Sequence, residues 1–286
     1  MVAGLLAVFA VAGLLVALRG LTSDGKPDGR RAAAEITLGT ESVPHPNARA
    51  SHASTTPHAP DARQAPVSRL PSAAKVVGQT IIGRFDVGRA DPELRARVRR
   101  GEVGGVILFA PADVSAGTVW STVRALQREA ENGGNPRLLV AVDQEGGEVK
   151  RLPGPPRISP PDFSTADRAA SDSEATGQYL SGLGVNVDLA PVMDVAHPGS
   201  AIATRSLGNT PRADSTLGRA FSQALESHGV AATGKHFPGL GAASVNTDVG
   251  QATIALPSER LVEEAHPFIA AGASLLMVSN ANVPRT

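Results

Sequence analysis

Lys235 and His236 stand side by side and run straight into Phe237-Pro238-Gly239, a turn that proline and glycine close. An ammonium and an imidazole presented together can donate to ligand oxygens and exchange a proton. The apolar residues 230–233 just before them read as a buried strand. That puts the pair at a strand's end, where strand–helix barrels gather their ligand-binding side chains. About ninety residues earlier the pattern recurs, as Leu138-Leu139-Val140-Ala141-Val142 leads into Asp143-Gln144-Glu145-Gly146-Gly147 and then Lys150-Arg151. Ala190-Pro191-Val192-Met193-Asp194, Arg205-Ser206-Leu207-Gly208-Asn209, the glycine-rich 239–241 leading to Asn246-Thr247-Asp248, and Ser279-Asn280-Ala281-Asn282 extend the set. Such a rim is rich in hydrogen-bonding groups and poor in apolar ones. It suits a polyhydroxylated ligand, since a carboxylate accepts from two vicinal hydroxyls while Arg and Lys donate to the same oxygens.

These residues need a scaffold, and the chain from Val76 onward supplies an alternating one. Apolar runs at 79–82, 103–109, 138–142, 185–189, 230–233 and 274–278 predict six strands. Helix-like segments lie between them at 92–100, 115–131, 173–183, 215–227 and 258–271, the last with Ser258 as its expected cap. Near-continuous apolar strands alternating with helices predict a parallel sheet covered by helices. A closed barrel of this type has eight strands, so six form an open arc with apolar edges on the first and last.

The 286 residues suffice for one large domain and an appendage. The formal net charge is zero, which leaves no broad basic field for nucleic acid or an anionic membrane. Cysteine is absent, which excludes a disulfide framework, a thiolate zinc site and a cysteine nucleophile. Residues 2–18 are apolar throughout and predict a signal peptide or membrane anchor, placing the protein outside the cytoplasm, secreted or anchored. No basic residue precedes that run and Arg19, Lys26, Arg30 and Arg31 follow it, against the usual orientation of an export signal. The tract that follows has a linker's composition, with Pro44, Pro46, Pro57, Pro60, Pro66 and Pro71 among small polar residues. His45, His52 and His58 within it are spaced too irregularly to predict a metal site. The expected organisation is therefore 1–19 signal or anchor, 20–75 disordered linker and 76–286 folded domain.

Four segments in order carry a resemblance. Val142-Asp143-Gln144-Glu145-Gly146-Gly147-Glu148-Val149-Lys150-Arg151-Leu152, Asn186-Val187-Asp188-Leu189-Ala190-Pro191-Val192-Met193-Asp194-Val195, Arg205-Ser206-Leu207-Gly208 and Lys235-His236-Phe237-Pro238-Gly239 resemble the signature of glycoside hydrolase family 3, in its β-N-acetylhexosaminidase branch. The resemblance implies an α/β fold, a (β/α)8 TIM-like barrel that is incomplete here at about six of eight strands. It implies a retaining glycosidase that removes terminal N-acetylglucosamine from peptidoglycan fragments or related oligosaccharides without metal or organic cofactor. It also implies sugar contacts from Asp143, Arg151, Arg205, Lys235 and His236. Asp194 and Glu145 are read as structural, the latter as a partner for the glycine pair. His228 and His266 are read as surface or core residues. Two departures stand out. Where the branch carries an Asp-Ser-His triplet supplying the general acid/base, this chain has Asn246-Thr247-Asp248, which leaves Asp248 as the candidate acid/base, and Leu240 replaces a polar residue in the preceding turn. The family's nucleophilic Asp follows the seventh strand and has no counterpart among the six predicted here. A non-catalytic saccharide-binding protein and a β-glucosidase-type specificity are the alternative readings.

Overall fold

A computed structural model of the chain describes residues 71–284. The apolar run and the tract holding His45, His52 and His58 lie outside them. Local chemistry marks out most helices. A hydroxyl or carboxylate just before the first turn accepts the otherwise unpaired amide three residues on: Asp91 for α2 (Pro92–Arg100), Ser115 for α3 (Ala116–Asn132), Thr165 for α4 (Ala166–Leu183) and Thr210 for α5 (Pro211–Glu226). Pro92 and Pro211 occupy first-turn positions where no amide is required. Before these, the short α1 (Ala73–Gly78) begins two residues into the described chain.

Six strands form one parallel sheet in the order β1 (Ile82–Asp86), β2 (Gly105–Phe109), β3 (Leu139–Val142), β6 (Val187–Asp188), β7 (Ala231–Phe237) and β8 (Leu275–Val278). Between β3 and α4, the short antiparallel hairpin β4 (Gln144–Gly146) and β5 (Val149–Lys150) stands off from it. Its turn carries Gly146 and Gly147 at φ 102° and 59°, which side chains with a Cβ adopt only with strain. The helices, ending with α6 (Ser258–Ala270), cover one face of the sheet. The main core lies between the two layers and contains Phe85, Leu108, Val140, Val142 and Ala232 from strands against Val98, Leu126, Leu180, Phe221 and Leu225 from helices. The other face is lined by Ala141, Val187 and Leu189 with Ile107, Ala231, Leu275 and Met277. This is the arc expected of an unclosed TIM-like barrel. Its last strand leaves Leu276 and Val278 47% and 67% exposed.

Four local expectations need correction. The first strand is Ile82–Asp86 and not 79–82, because Gln79 caps α1 and the amides of Thr80 and Ile81 turn back to Val77 and Gly78. Arg84 and Asp86 had broken the apolar run that signals a strand. Helix α4 begins at Ala166, seven residues before the expected 173, since Thr165 caps a first turn with no apolar stripe. Helix α5 likewise begins at Pro211 and not 215. In α6 the cap position is Pro257, and Ser258 is the first helical residue.

Candidate functional site

The ends of β3 and β7 and the segment before α5 meet at one place. Lys235, on the inner side of β7, extends its ammonium between two carboxylates, 2.7 Å from Asp143 Oδ1 and 2.6 Å from Glu145 Oε1. Arg205 also meets Glu145, with a two-pronged contact, Nη2 to Oε1 at 2.7 Å and Nε to Oε2 at 2.9 Å. Glu145 is therefore shared by two cations, and the four charges cancel. Burial alone would raise the Glu145 carboxyl, but Lys235 and Arg205 more than offset it and hold the group below the usual glutamate range. Burial would likewise lower Lys235, and the facing Glu145 and Asp143 raise it instead. The side chains of Lys235 and Glu145 are 2% and 1% exposed, whereas Asp143 is 18% exposed. Asp143 is thus the most accessible member of the three, and it packs on the buried Lys235 and Glu145.

His236 is set by a separate acceptor. The segment after β6 runs beside β7, with Met193 N donating to Lys235 O at 2.7 Å and Lys235 N to Pro191 O at 3.2 Å. This brings the buried Asp194 against the His236 ring, Nδ1 to Oδ2 at 2.8 Å. The backbone amides of His236 and Leu240 also donate to Asp194, at 3.1 and 2.6 Å. A carboxylate taking that many N–H groups is an acceptor, so Nδ1 donates to it and the ring is held in one orientation. The Lys235–His236 peptide is cis, and the pairing of β7 with β8 shifts register there.

Leu240 has a plain explanation: it is buried with Val192, Ile202, Ala243, Ala252 and Ile254 in a small core beneath the 239–256 segment. Gly241 follows because a Cβ there would lie 1.8 Å from the Val195 carbonyl. Past this core Asp248 stands exposed, its amide on Asn246 Oδ1 at 2.9 Å, and its charge is felt by Arg205. Arg151 lies half-buried beside Asp143, donating its backbone amide to the Asp143 carbonyl at 3.1 Å.

The structure therefore joins Asp143, Lys235, Glu145 and Arg205 in one network, with His236 next in the chain but held by Asp194, Arg151 adjacent to Asp143 and Asp248 exposed. Arg205 does not pair with Asp143; its planar fork fits the two oxygens of Glu145 while Lys235 occupies Asp143. Glu145 is accordingly no mere partner of the glycine pair but the hub of the cradle. Sequence reading missed three buried carboxylates. Asp188, which accepts from Gln144 N at 3.1 Å, is pushed well above the usual aspartate range by burial, with Asp143 and Glu145 adding to the rise. Asp214 is raised to about 8 by burial and by the charge of Asp194. Glu264 takes His197 Nε2 at 2.8 Å. Each is one acidic residue in an otherwise ordinary strand or helix, and no spacing signal distinguishes it. Shallow cavities among Thr165, Thr210, Arg212, Thr216 and Arg219 lie on the helical layer and contain none of the rim residues.

Comparison with known proteins bears on this arrangement. The family model described as the glycosyl hydrolase family 3 N terminal domain matches residues 74–285. A β-hexosaminidase of Xanthomonas oryzae pv. oryzae is 33% identical over 219 residues, covering 70% of this chain and 64% of its own. Among solved structures, a family 3 β-N-acetylglucosaminidase from Paenibacillus sp. FPU-7 superposes with TM-score 0.70 at 30% identity, covering 75% of this chain and 43% of that one. A β-N-acetylhexosaminidase from Beutenbergia cavernae gives TM-score 0.67 at 29% identity, covering 74% and 68%. The chain thus spans about 64% of the length of the curated relatives first matched.

Proposed function

The chain belongs to the glycosyl hydrolase family 3 N-terminal domain family, and we propose from this premise that it is the sugar-binding part of a hexosaminidase-type glycosidase. The observation that carries the reading is the cradle itself: one partly exposed carboxylate, Asp143, held by a buried Lys235 beside an oriented His236. Asp143 accepts two adjacent sugar hydroxyls, Lys235 and Arg151 donate to the same oxygens, and His236 Nε2 accepts from a further hydroxyl. Arg205 shapes the site through Glu145. The similarity to β-hexosaminidases supports terminal β-N-acetylglucosaminides as the substrate class, with peptidoglycan fragments as their source. On the retaining route an acid protonates the leaving oxygen while a second carboxylate ~5–5.5 Å away attacks the anomeric carbon. Neither Asp143 nor Glu145 is free to attack, since both are engaged by Lys235. Asp248, whose charge is felt by Arg205, is the candidate proton donor in this reading. The apolar segment 2–18 supports export or anchoring outside the cytoplasm.

One observation favours a second reading, a saccharide-binding protein without turnover: Asp248 stands exposed, outside the ion-pair network of Asp143, Glu145, Arg205 and Lys235. Calorimetric titration with N-acetylglucosamine and turnover of an aryl N-acetylglucosaminide separate the two. Binding with turnover that Asp248→Asn abolishes supports the enzyme. Binding without turnover supports the second reading, and failure to bind the sugar ends both.

A further inference from the structure

Behind the cradle lies a buried acid that the sugar reading does not use. Asp188 ends β6, opposite Val142 of β3 on one side and Ala232 of β7 on the other. Both neighbours belong to the core beneath the helices, so Asp188 sits in an apolar row behind the rim. It is 0% exposed. Its Oδ1 accepts the Gln144 amide at 3.1 Å, while Oδ2 is buried without a hydrogen-bond partner.

That one amide controls a good deal. Gln144 stands between Asp143 and Glu145 in the chain, so its bond to Asp188 fixes the backbone on which both cradle carboxylates are mounted. The Gln144 side chain, also buried, ties down the return of the hairpin. Its Nε2 donates to the carbonyls of Leu152 and Pro155 at 2.9 and 2.8 Å, and its Oε1 accepts the Leu152 amide at 2.9 Å. Anchored at both main chain and side chain, Gln144 sets where Asp143 and Glu145 stand relative to β7.

Charge decides the form in which Asp188 works. The charged groups around it are Asp143 and Glu145 on the β3–β4 side and Lys235 on β7, with Arg205 reaching Glu145. Within the cradle two carboxylates already balance two cations. An ionised Asp188 would add a third negative charge, with one oxygen bare in a site closed to water, and such a charge is costly. The neutral acid avoids that cost and keeps Oδ1 as an acceptor. Burial acts in the same sense, with Asp143 and Glu145 adding to it, and together they outweigh the Gln144 amide and Lys235, which favour the ionised form.

We propose that Asp188 is the positioning residue of the cradle, holding Asp143 and Glu145 in place through the Gln144 amide, and that it does so as the neutral acid. Its ionisation then loosens the sugar site from behind, with no contact to the ligand. The inference rests on the saccharide reading above and adds an upper pH limit to it.

The test uses the full 286-residue chain, N-acetylglucosamine as the probe, and the variants Asp188→Asn and Asp188→Ala. Asparagine copies the neutral acid, with a carbonyl oxygen for the Gln144 amide and an NH2 group in place of the hydroxyl. Calorimetry at neutral pH is expected to give Asp188→Asn an affinity within about twofold of wild type. Asp188→Ala, which leaves the amide without its acceptor, should bind about tenfold more weakly. As the pH rises through the folded-state pKa of Asp188, wild type loses affinity relative to Asp188→Asn. Its melting temperature also falls relative to that variant, from the ordinary aspartate range upward, because the native state binds the proton more tightly than the unfolded chain. An Asp188→Asn variant as weak as Asp188→Ala overturns the neutral acid, and so do coincident pH profiles of wild type and Asp188→Asn. That comparison decides the matter even where Asp188→Ala does not fold. An Asp188→Ala variant with wild-type affinity overturns the positioning role. These results leave the saccharide reading standing, whereas a wild type that binds no N-acetylglucosamine ends that reading and this inference with it.

Discussion

Replacing Glu145 with Gln tests whether the cradle is organised around that carboxylate or around Asp143. Glu145 is 1% exposed and makes three close contacts, with Lys235 at 2.6 Å and with Arg205 at 2.7 and 2.9 Å. Removing one partner from a buried ion pair typically costs about 3–5 kcal/mol, because the remaining charge is left desolvated. Here Lys235 keeps Asp143, so the loss falls mainly on Arg205, and the lower figure, about 3 kcal/mol, applies. For a domain of this size that corresponds to a fall in Tm of about 6–12 °C. Asp143→Asn removes a partner that already touches water, while Lys235 keeps Glu145. Its expected cost is about 1 kcal/mol, with ligand affinity lost instead. The pH dependence gives a second check. The folded-state pKa of Glu145 is lowered, so its contribution is present above the ordinary glutamate range and is lost as the pH falls through the folded value. The stability gap between wild type and Glu145→Gln therefore closes in acid. Differential scanning calorimetry of the three proteins at neutral and acidic pH decides the matter. Asp143→Asn proving as damaging as Glu145→Gln, or a gap that persists in acid, would refute the assignment of Glu145 as the hub.

Three other outcomes are expected. Asp214 behaves in the opposite sense: its folded pKa is raised to about 8, so the native state binds the proton more tightly than the unfolded chain. Stability then declines by about 1.4 kcal/mol per pH unit between the unfolded aspartate value and the folded one. Urea titrations of Asp214→Asn across that range should lack this slope. Asp194→Ala leaves the ring and amide of His236 and the amide of Leu240 without their acceptor. At about 1 kcal/mol for each of three donors, chemical denaturation should register a loss near 3 kcal/mol, with sugar binding weakened as the imidazole loses its orientation. Finally, Val278→Lys puts a charge on the bare edge of β8, where Leu276 and Val278 are exposed. Sedimentation velocity should show less concentration-dependent association than in wild type.

The sheet was legible where strands are apolar on both faces, as in β2 and β3, since helices cover one side and inner-face side chains such as Ile107, Ala141 and Val187 cluster on the other. It was not legible at β1, where the inner face carries Arg84 and Asp86 at the rim and the apolar run breaks. The expected fourth strand is regular only at Val187–Asp188, although backbone bonds to β3 and β7 continue beyond it at Leu189, Ala190, Pro191 and Met193. The same limit applies to the site. Asp143, Lys235 and His236 could be picked out because each ends an apolar strand. Glu145 could not, because no spacing reveals that a residue inside a hairpin will lie between cations contributed by two distant segments. Asp214 and Asp188 were hidden for a related reason: a buried acid in a helix or strand looks in sequence like a solvated one.

The reach of the contacts in the cradle has a further consequence. Lys235 finds Asp143 across 92 positions, and Arg205 finds Glu145 across 60. Loops of that span close late, because chain entropy opposes them until the intervening strands have docked. An intermediate whose helices have formed before β7 docks can already show near-native circular dichroism while the Lys235 and Arg205 contacts are still open. Recovery of saccharide affinity during refolding should therefore lag behind helix formation and track the docking of β7, making the ligand a reporter of the final assembly step.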